Sequence, residues 1–207
     1  MGRFAHLAYT DSVRRVQREQ GSDAAGDRRL RAADSPDPLT ADEAAFIESR
    51  DGCYLASVSE TGWPYAQFKG GPPGFLHVLD ERTIGYADVR GNRQYISTGN
   101  VLADGRVSLF LMDYPQQIRL KILGRASVRR IEDEPALAER LRAGGTPGPV
   151  ERLVLIRVEG FDWNCPRHIT PRYSVPELEE LLKPLQARLD SLLEENRRLK
   201  HRLGEPG

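Results

Sequence analysis

The chain has 207 residues, enough to bury one hydrophobic core, and its charge is balanced at 30 basic and 30 acidic side chains. A neutral net charge provides no general attraction to nucleic acid or to an anionic membrane. The sequence shows no apolar run long enough to cross a bilayer and no N-terminal secretory signal. We therefore expect a cytoplasmic protein without nucleic-acid or membrane partners.

The two cysteines, Cys53 and Cys165, lie far apart and form no Cys-x-x-Cys pair. This spacing argues against a metal site and against a local redox motif. Cys53 begins an apolar run and is expected to pack as a small hydrophobe. Cys165 is close in sequence to a histidine, but adjacent residues of an extended chain point to opposite faces, so we assign it no catalytic role.

The N-terminal region, residues 1–39, is predicted to be a helical extension followed by a linker. One charged helix is expected from Thr10, as its N-cap, to about Leu30. Its apolar face is thin, which favours packing across another surface, such as a second subunit. Pro36 and Pro38 then mark the linker, because proline blocks continuation of a helix.

The second region, residues 40–173, is predicted to be the main domain. It opens with a capping box of Thr40 and Glu43, which indicates a helix. The apolar side chains expected to face inward from this helix are Ala44, Phe46 and Ile47. A second helix in this region is expected at Pro135–Arg142.

Seven β-branched and aromatic runs separated by turns follow in the same region. They predict a mainly β fold with flanking helices (α+β), a small antiparallel barrel of six to seven strands. The strands are expected at Tyr54–Ser59, Tyr65–Lys69, Phe75–Leu79, Thr83–Ala87, Val107–Met112, Ile118–Arg129 and Leu153–Phe161.

Between the fourth and fifth of these strands, the segment Gly85–Asn100 breaks on a glycine and restarts as a polar helix. The first N–H groups of a helix have no internal partner and attract anions. Gly91 is expected to supply backbone angles closed to other residues. Asn92, Arg93 and Gln94 add side-chain donors. The segment predicts a phosphate site, and the alternative is an ordinary strand-to-helix turn with a solvated arginine.

Further segments flank this turn in a characteristic order, Gly62–Phe75 before it and Arg106–Asp113 and Arg119–Ala126 after it. Together they resemble the FMN-binding split-barrel proteins related to pyridoxamine 5'-phosphate oxidase, from about Thr40 to Tyr173. The resemblance implies a split β-barrel with FMN as its cofactor. It also implies a homodimer that holds the flavin in the groove between its subunits, and a small-molecule substrate or electron donor.

The resemblance also implies which side chains contact the cofactor. They are Gln67, Phe68, Lys69, Asp88, Asn92, Arg93, Gln94, Arg119, Trp163, Asn164 and Arg167. Arg93 is expected to contribute most, because a guanidinium donates two parallel hydrogen bonds to a phosphate. The alternatives are a solvent-facing charge for Lys69 and Arg119, and closure of the barrel end for Trp163.

The activity implied is that of an FMN-dependent oxidoreductase, in which the flavin carries the electrons. His168 is the candidate catalytic residue, because histidine exchanges protons near neutral pH. Vitamin B6 oxidases carry Arg-x-His in a related tail, whereas Arg167 and His168 are adjacent here, so pyridoxamine phosphate oxidation is not expected. The alternatives are a flavin-binding module without turnover and, less favoured, a haem-handling split barrel, since neither His77 nor His168 has an evident axial-ligand setting.

The third region, residues 174–207, opens with a capping box of Ser174 and Glu177. Leucines then follow a four-three spacing with Asn196 in the one gap, at Leu178, Leu182, Leu185, Leu189, Leu192, Leu199 and Leu203. The pattern predicts a parallel two-stranded coiled coil whose register Asn196 would define. Pro184 is expected to kink or restart the helix. A terminal amphipathic helix folded onto its own domain is the alternative.

Overall fold

The structure is a computed structural model that describes residues 2–143, 145–146, 148–163 and 167–203. By its internal contacts the chain divides into two compact units. The first runs to Asp113 and resumes from Gln117 to Arg167. The second comprises Tyr114–Gln116 and the chain from His168 onward.

In the described part of the first unit, seven strands form one antiparallel sheet in the order β2-β1-β5-β6-β7-β4-β3. They are β1 (Gly52–Val58), β2 (Pro64–Gly70), β3 (His77–Asp80), β4 (Thr83–Val89), β5 (Arg106–Asp113), β6 (Ile118–Arg129) and β7 (Val150–Trp163). The sheet is open, with β2 and β3 at its edges. The α+β, split-barrel class expected from the sequence is confirmed.

Alternating apolar side chains of the strands build the main core. In β5, Val107, Leu109 and Leu111 are buried, while the residues between them are less so. A strand with this alternation presents one face to the core and the other outward. Leu120 and Ile122 of β6 continue the same buried layer.

The described residues form seven helices, α1 (Arg3–Ala8), α2 (Asp11–Glu19), α3 (Asp23–Leu30), α4 (Ala41–Glu48), α5 (Ile96–Ala103), α6 (Pro135–Arg142) and α7 (Val175–Leu203). Helix α4 begins at the predicted capping box, where the Thr40 N–H donates to the Glu43 carboxylate at 3.0 Å. Its Ile47 side chain is buried in the core beneath the sheet. Helix α6 has the predicted bounds, with a proline in its first turn.

The prediction of a single charged helix from Thr10 to about Leu30 is wrong, because two helices, α2 and α3, occupy this segment. Thr10 caps α2 as predicted, and its hydroxyl accepts a hydrogen bond from the Val13 N–H at 3.5 Å. Gly21 then takes a φ of 67° and ends that helix before α3 begins. A left-handed residue cannot continue a right-handed helix.

Helix α7 is continuous over 29 residues, so Pro184 does not restart it. The predicted capping box is present, with the Ser174 N–H donating to the Glu177 carboxylate at 2.7 Å. Within the described residues, neither α7 nor any other helix has the length and apolar character needed to cross a membrane.

Candidate functional site

A polar cavity in the first unit lies beside edge strand β2, strand β4 and the loop between β4 and α5. Six of the residues predicted to bind the cofactor line it: Gln67, Lys69, Asp88, Asn92, Arg93 and Gln94. Nine further lining residues were not among the predicted cofactor contacts, namely Tyr65, Val89, Gly91, Tyr95, Ile96, Ser97, Thr98, Glu151 and Arg152. The structure therefore brings together the β2 and turn residues that are separate in the sequence.

Strand β2 contributes to the cavity by simple alternation. Gln67 and Lys69 are half-buried, and the residues on either side of each are exposed. The Gln67 side chain accepts a hydrogen bond from the Ser97 hydroxyl at 2.7 Å. The Lys69 ammonium contacts the Asp88 carboxylate at 2.7 Å. Because β2 and β4 are not neighbours in the sheet, these contacts hold the sheet edge against β4 and α5.

Asp88 is the buried carboxylate of the cavity wall, with 8% of its surface exposed. It lies directly opposite Arg152 in the β4–β7 register, and the two side chains meet at 3.1 Å. With Lys69 on its other oxygen, Asp88 has two cationic partners, as burial of a charge requires. Arg152 also donates to the Thr98 hydroxyl at 3.0 Å and to the Glu151 carboxylate at 2.7 Å.

Glu151 is the second carboxylate of the cavity wall. Arg90 donates to it at 2.9 Å and the Tyr95 hydroxyl donates to it at 3.3 Å. The pKa of Glu151 is lowered from its ordinary value, chiefly by the hydrogen bond from Arg90. The Tyr95 hydrogen bond and the charge of Arg152 lower it further, and desolvation opposes the shift. Glu151 is therefore ionised at neutral pH and surrounded by donors.

The loop between β4 and α5 departs from the sequence expectation. Gly91 was expected to supply the unusual backbone angles, but the positive φ values fall on Arg93 (62°) and Tyr95 (55°). The Asn92 carboxamide oxygen accepts the Gln94 N–H at 3.1 Å, which is an Asx turn. Left-handed angles at non-glycine residues cost about 1–3 kcal/mol each and cluster at binding sites.

Helix α5 begins at this loop without a side-chain cap. Its N-cap is Tyr95, whose side chain accepts no hydrogen bond from the first turn and instead lies over the Arg152 guanidinium at 4.7 Å. Ile96, Ser97 and Thr98 form the first turn and line the cavity. Their backbone N–H groups have no acceptor inside an α-helix. The positive end of α5 therefore adjoins the cavity.

Arg93 differs from the other cations that line the cavity. Lys69 and Arg152 both contact the Asp88 carboxylate, whereas the hydrogen bond that Arg93 donates goes to the Tyr95 hydroxyl, at 3.4 Å. Its guanidinium is exposed. Arg93 thus adds a charge to the cavity that no carboxylate partner offsets through a direct hydrogen bond within the described residues.

Phe68 was predicted to contact the cofactor. It lies on the face of β2 opposite to Gln67 and Lys69 and does not line the cavity. Its ring centroid is 5.5 Å from that of Tyr54 on β1, and 59% of its surface is exposed. The ring also covers Gly70, where an added Cβ would lie 2.8 Å from the ring edge. The period of two along a strand explains the difference.

Trp163 and Arg119 also lie outside the cavity lining. The Trp163 indole N–H donates to the Glu43 carboxylate at 2.7 Å, and its ring meets Phe46 edge-to-face at 4.8 Å. Trp163 therefore packs against α4. The Arg119 guanidinium lies 6.0 Å from the centroid of the Phe110 ring.

The remaining candidates follow β7. Asn164 and Cys165 lie outside the described residues. Arg167 is exposed at the end of the first unit. His168, the candidate catalytic residue, belongs to the second unit, is exposed and has a φ of 65°. All residues that line the cavity belong to the first unit.

One sequence signal could have identified Arg152. The last predicted strand began at Leu153, three residues after the observed start of β7 at Val150, and so excluded Arg152. An earlier start would have placed Arg152 in a strand that can pair with the fourth strand, which carries Asp88. For Tyr95 the sequence contains no comparable signal, because its contact with Arg152 joins residues far apart in the chain.

The open antiparallel sheet and the polar cavity beside the start of α5 define a protein of the split-barrel class. The family model described as "Pyridoxamine 5'-phosphate oxidase" matches residues 39–158, which is more than half of the chain. The chain belongs to that family.

Solved structures with similar folds were also found. HupZ of Group A Streptococcus has a TM-score of 0.49 and 16% identity, over 65% of this chain and 99% of HupZ. An FMN-binding protein from Syntrophomonas wolfei subsp. wolfei has a TM-score of 0.46 and 12% identity, over 59% of this chain and 83% of that one. An F420 reductase has a TM-score of 0.42 and 17% identity, over 57% and 94%. A comparison with curated proteins finds no significant match.

Proposed function

We propose that the protein binds FMN, with the flavin phosphate in the cavity at the start of α5, and acts as an FMN-dependent oxidoreductase on a small molecule. The observation that carries the proposal is the uncapped first turn of α5 beside Arg93. Family membership supports a flavin as the ligand. Helix N–H groups together with a guanidinium are well suited to a phosphate.

The charges around the cavity fit a single phosphate group. Asp88 is neutralised by Lys69 and Arg152, and Glu151 receives hydrogen bonds from Arg90 and Arg152. Two carboxylates in the wall would otherwise repel an anion. Once they are paired in this way, Arg93 and the positive end of α5 remain to attract the phosphate.

The bound flavin supplies the electron chemistry, and this chain supplies binding and orientation. Arg93 and the N–H groups of the first turn of α5 would hold the phosphate. The Ser97–Gln67 and Lys69–Asp88 contacts keep the start of α5 and the β2 edge together. A cofactor anchored at this edge would thereby be oriented by elements that these side-chain contacts already connect.

A homodimer is part of this proposal, with the flavin in a groove between the subunits. Edge strand β2 supports it, because this strand flanks the cavity and carries an exposed aromatic side chain at Phe68, and the residue just before the strand, Trp63, is also exposed. An open sheet edge with exposed aromatic side chains is a surface that proteins usually cover.

The proposal predicts that Arg93→Ala weakens FMN binding while riboflavin binding stays unchanged. Riboflavin lacks the phosphate, so only FMN loses a charge-assisted hydrogen bond. The loss of about 1.5–3 kcal/mol raises the Kd for FMN about 10- to 150-fold. Flavin fluorescence titration measures both ligands. Arg157→Ala is the matched control, because this exposed arginine of β7 is not part of the cavity lining.

Equal FMN affinity in the two arginine variants would remove Arg93 from the site and overturn the proposed phosphate position. Turnover is tested separately, by following oxidation of a reduced nicotinamide or another donor by the FMN-loaded protein. Tight FMN binding without turnover across a panel of donors and acceptors would instead establish a flavin-binding module. The absorbance spectrum of the purified protein distinguishes flavin from haem.

A further inference from the structure

Helix α7 carries an apolar stripe that is exposed along its whole length. None of its residues is buried. The leucines of the stripe range from 37% exposed at Leu182 to 74% exposed at Leu203. A continuous exposed stripe of this kind marks an interaction surface. The residue types in the stripe and beside it indicate which partner it fits.

The stripe repeats every seven residues over three heptads. The a positions are Leu182, Leu189, Asn196 and Leu203, and the d positions are Leu185, Leu192 and Leu199. This spacing is the pattern of a coiled-coil seam. Pro184 occupies a c position, off the seam, and α7 is continuous through it. The proline therefore removes no contact from the seam.

The charges of α7 separate into two groups by heptad position. On the outer face, Lys183 contacts Glu180, and Arg197 contacts Glu194 at 3.4 Å, so these b and f side chains are paired within the helix. Beside the seam, Glu195 at g and Lys200 at e have no ion-pair partner among the described residues.

A parallel partner helix would pair these two seam charges. In parallel coiled coils, a g residue of one helix lies next to the e residue of the following heptad on the other helix. Glu195 of each copy would then meet Lys200 of the other. Since the chain carries both members of the pair, a second copy of α7 is electrostatically complementary to the first at these two positions.

Asn196 selects the same arrangement. In a parallel, in-register pair it lies opposite its own copy, and the two carboxamides can exchange hydrogen bonds. In an antiparallel pair an a residue faces a d residue, so Asn196 would be buried against leucine with its amide unpaired. Burying an unpaired amide is unfavourable.

We infer that α7 pairs with α7 of a second copy of this chain as a parallel, in-register, two-stranded coiled coil. The pairing places the N-terminal ends of both helices together and raises the effective concentration of one first unit for the other. The inference does not depend on flavin binding, because it uses only residues of α7.

Disulfide crosslinking of the full chain tests this arrangement. Leu199→Cys is introduced at a d position in a background that carries Cys53→Ala and Cys165→Ser. In the parallel, in-register pair the two Leu199→Cys thiols adjoin, and mild oxidation should convert most of the protein to covalent dimer. Ser191→Cys, at the outward c position of the same helix, is the matched control and should crosslink at least tenfold more slowly.

A second pair of variants tests the seam charges. Glu195→Lys and Lys200→Glu, each combined with Leu199→Cys, place like charges together in their own homodimers. When the two chains are mixed, every seam pair becomes attractive in the heterodimer. We expect heterodimer crosslinks to exceed the statistical half of the product. The inference would be overturned by equal crosslinking rates at positions 199 and 191. It would also be overturned by a statistical share of heterodimer in the mixed sample, or by trimers in analytical sedimentation.

Discussion

At the scale of single residues, Asp88 is the side chain on which the cavity depends most. It lies between Lys69 and Arg152 and is nearly inaccessible to solvent. Such a carboxylate contributes little net stability while both cations are present, but its removal leaves the partly buried Lys69 ammonium unpaired and leaves Arg152 with Glu151 as its one carboxylate partner among the described residues. Its role is therefore to keep the cationic side chains of the wall in place.

Asp88→Ala should lower the free energy of unfolding by about 3–5 kcal/mol, the usual cost of removing one member of a buried ion pair. Urea unfolding followed by circular dichroism measures the change. Glu139→Ala is the control, since Glu139 forms a largely exposed i,i+3 pair with Arg142 on α6 and should change stability by less than about 0.5 kcal/mol. Similar effects of the two substitutions would show that Asp88 is not a buried partner.

Cys53 gives a second prediction at this scale, through its burial. Desolvation raises the pKa of its thiol from 9.0 to about 12, against the opposing charge of Lys69. The native thiol therefore stays protonated, which makes it unreactive. In a Cys165→Ser background, we expect native Cys53 to resist a maleimide that labels the urea-unfolded chain within minutes. Rapid labelling of the native protein would contradict the burial of this side chain.

The same shift defines a pH dependence. The pKa of Cys53 is higher in the folded protein than in the unfolded chain, so the unfolded chain loses this proton first as the pH rises. The contribution of Cys53 to the free energy of unfolding is therefore fully present below about pH 9 and is lost between pH 9 and pH 12. The slope contributed by this one group is about 1.4 kcal/mol per pH unit. In the Cys53→Ala variant, the urea midpoint should fall less between pH 9 and pH 11 than it does in the parent protein.

At the scale of elements, the turns of the fold differ in whether they require glycine. Gly62 lies in the turn between β1 and β2 and has a φ of 82°, whereas Gly91, in the loop before α5, has no positive φ. Both have open space where a Cβ would be added. The two positions thus differ in backbone angle and not in crowding.

Gly62→Ala should destabilise the protein by about 1–2 kcal/mol, the cost of a left-handed angle for an L-residue. Gly91→Ala should be neutral or stabilising by up to about 1 kcal/mol, because alanine reduces the entropy of the unfolded chain. Thermal and urea unfolding of both variants measure the difference. A destabilised Gly91→Ala variant would restore the sequence expectation that Gly91 adopts angles closed to other residues.

At the scale of the whole molecule, the two compact units carry different features. Every residue that lines the cavity belongs to the first unit, and α7 belongs to the second. The proposed flavin phosphate site and the inferred coiled coil therefore rest on separate parts of the chain, and they can be tested independently.

At protein concentrations where the first units still associate, a chain that ends at residue 173 should bind FMN with the Kd of the full chain, within about twofold, because it retains the complete cavity. It should self-associate more weakly at low concentration, since the inferred coil is removed. Fluorescence titration and light scattering at several concentrations measure the two properties. Loss of FMN binding from the folded, truncated chain would show that the second unit contributes to the site.

Much of the fold was predictable from local patterns. All seven strands were predicted, and the bounds of β6 and α6 agree with the sequence prediction to the residue. Alternation of apolar and polar residues predicts a strand, and capping residues and proline predict where a helix begins or ends. Each of these patterns spans only a few residues. The errors also had local causes, such as Gly21 between α2 and α3.

The sequence by itself therefore determined the seven strands, the helices from residue 40 onward, the family resemblance and the donor-rich segment around Arg93. Only the tertiary structure decided which side chains surround the cavity. The contacts Lys69–Asp88, Asp88–Arg152 and Ser97–Gln67 join residues 19 to 64 positions apart. They depend on how the strands pair and on where the β2 edge lies, and no window of a few residues contains that information. For the same reason, the sequence could not show that Phe68 and Trp163 lie outside the cavity lining, because their neighbours are assembled by the fold.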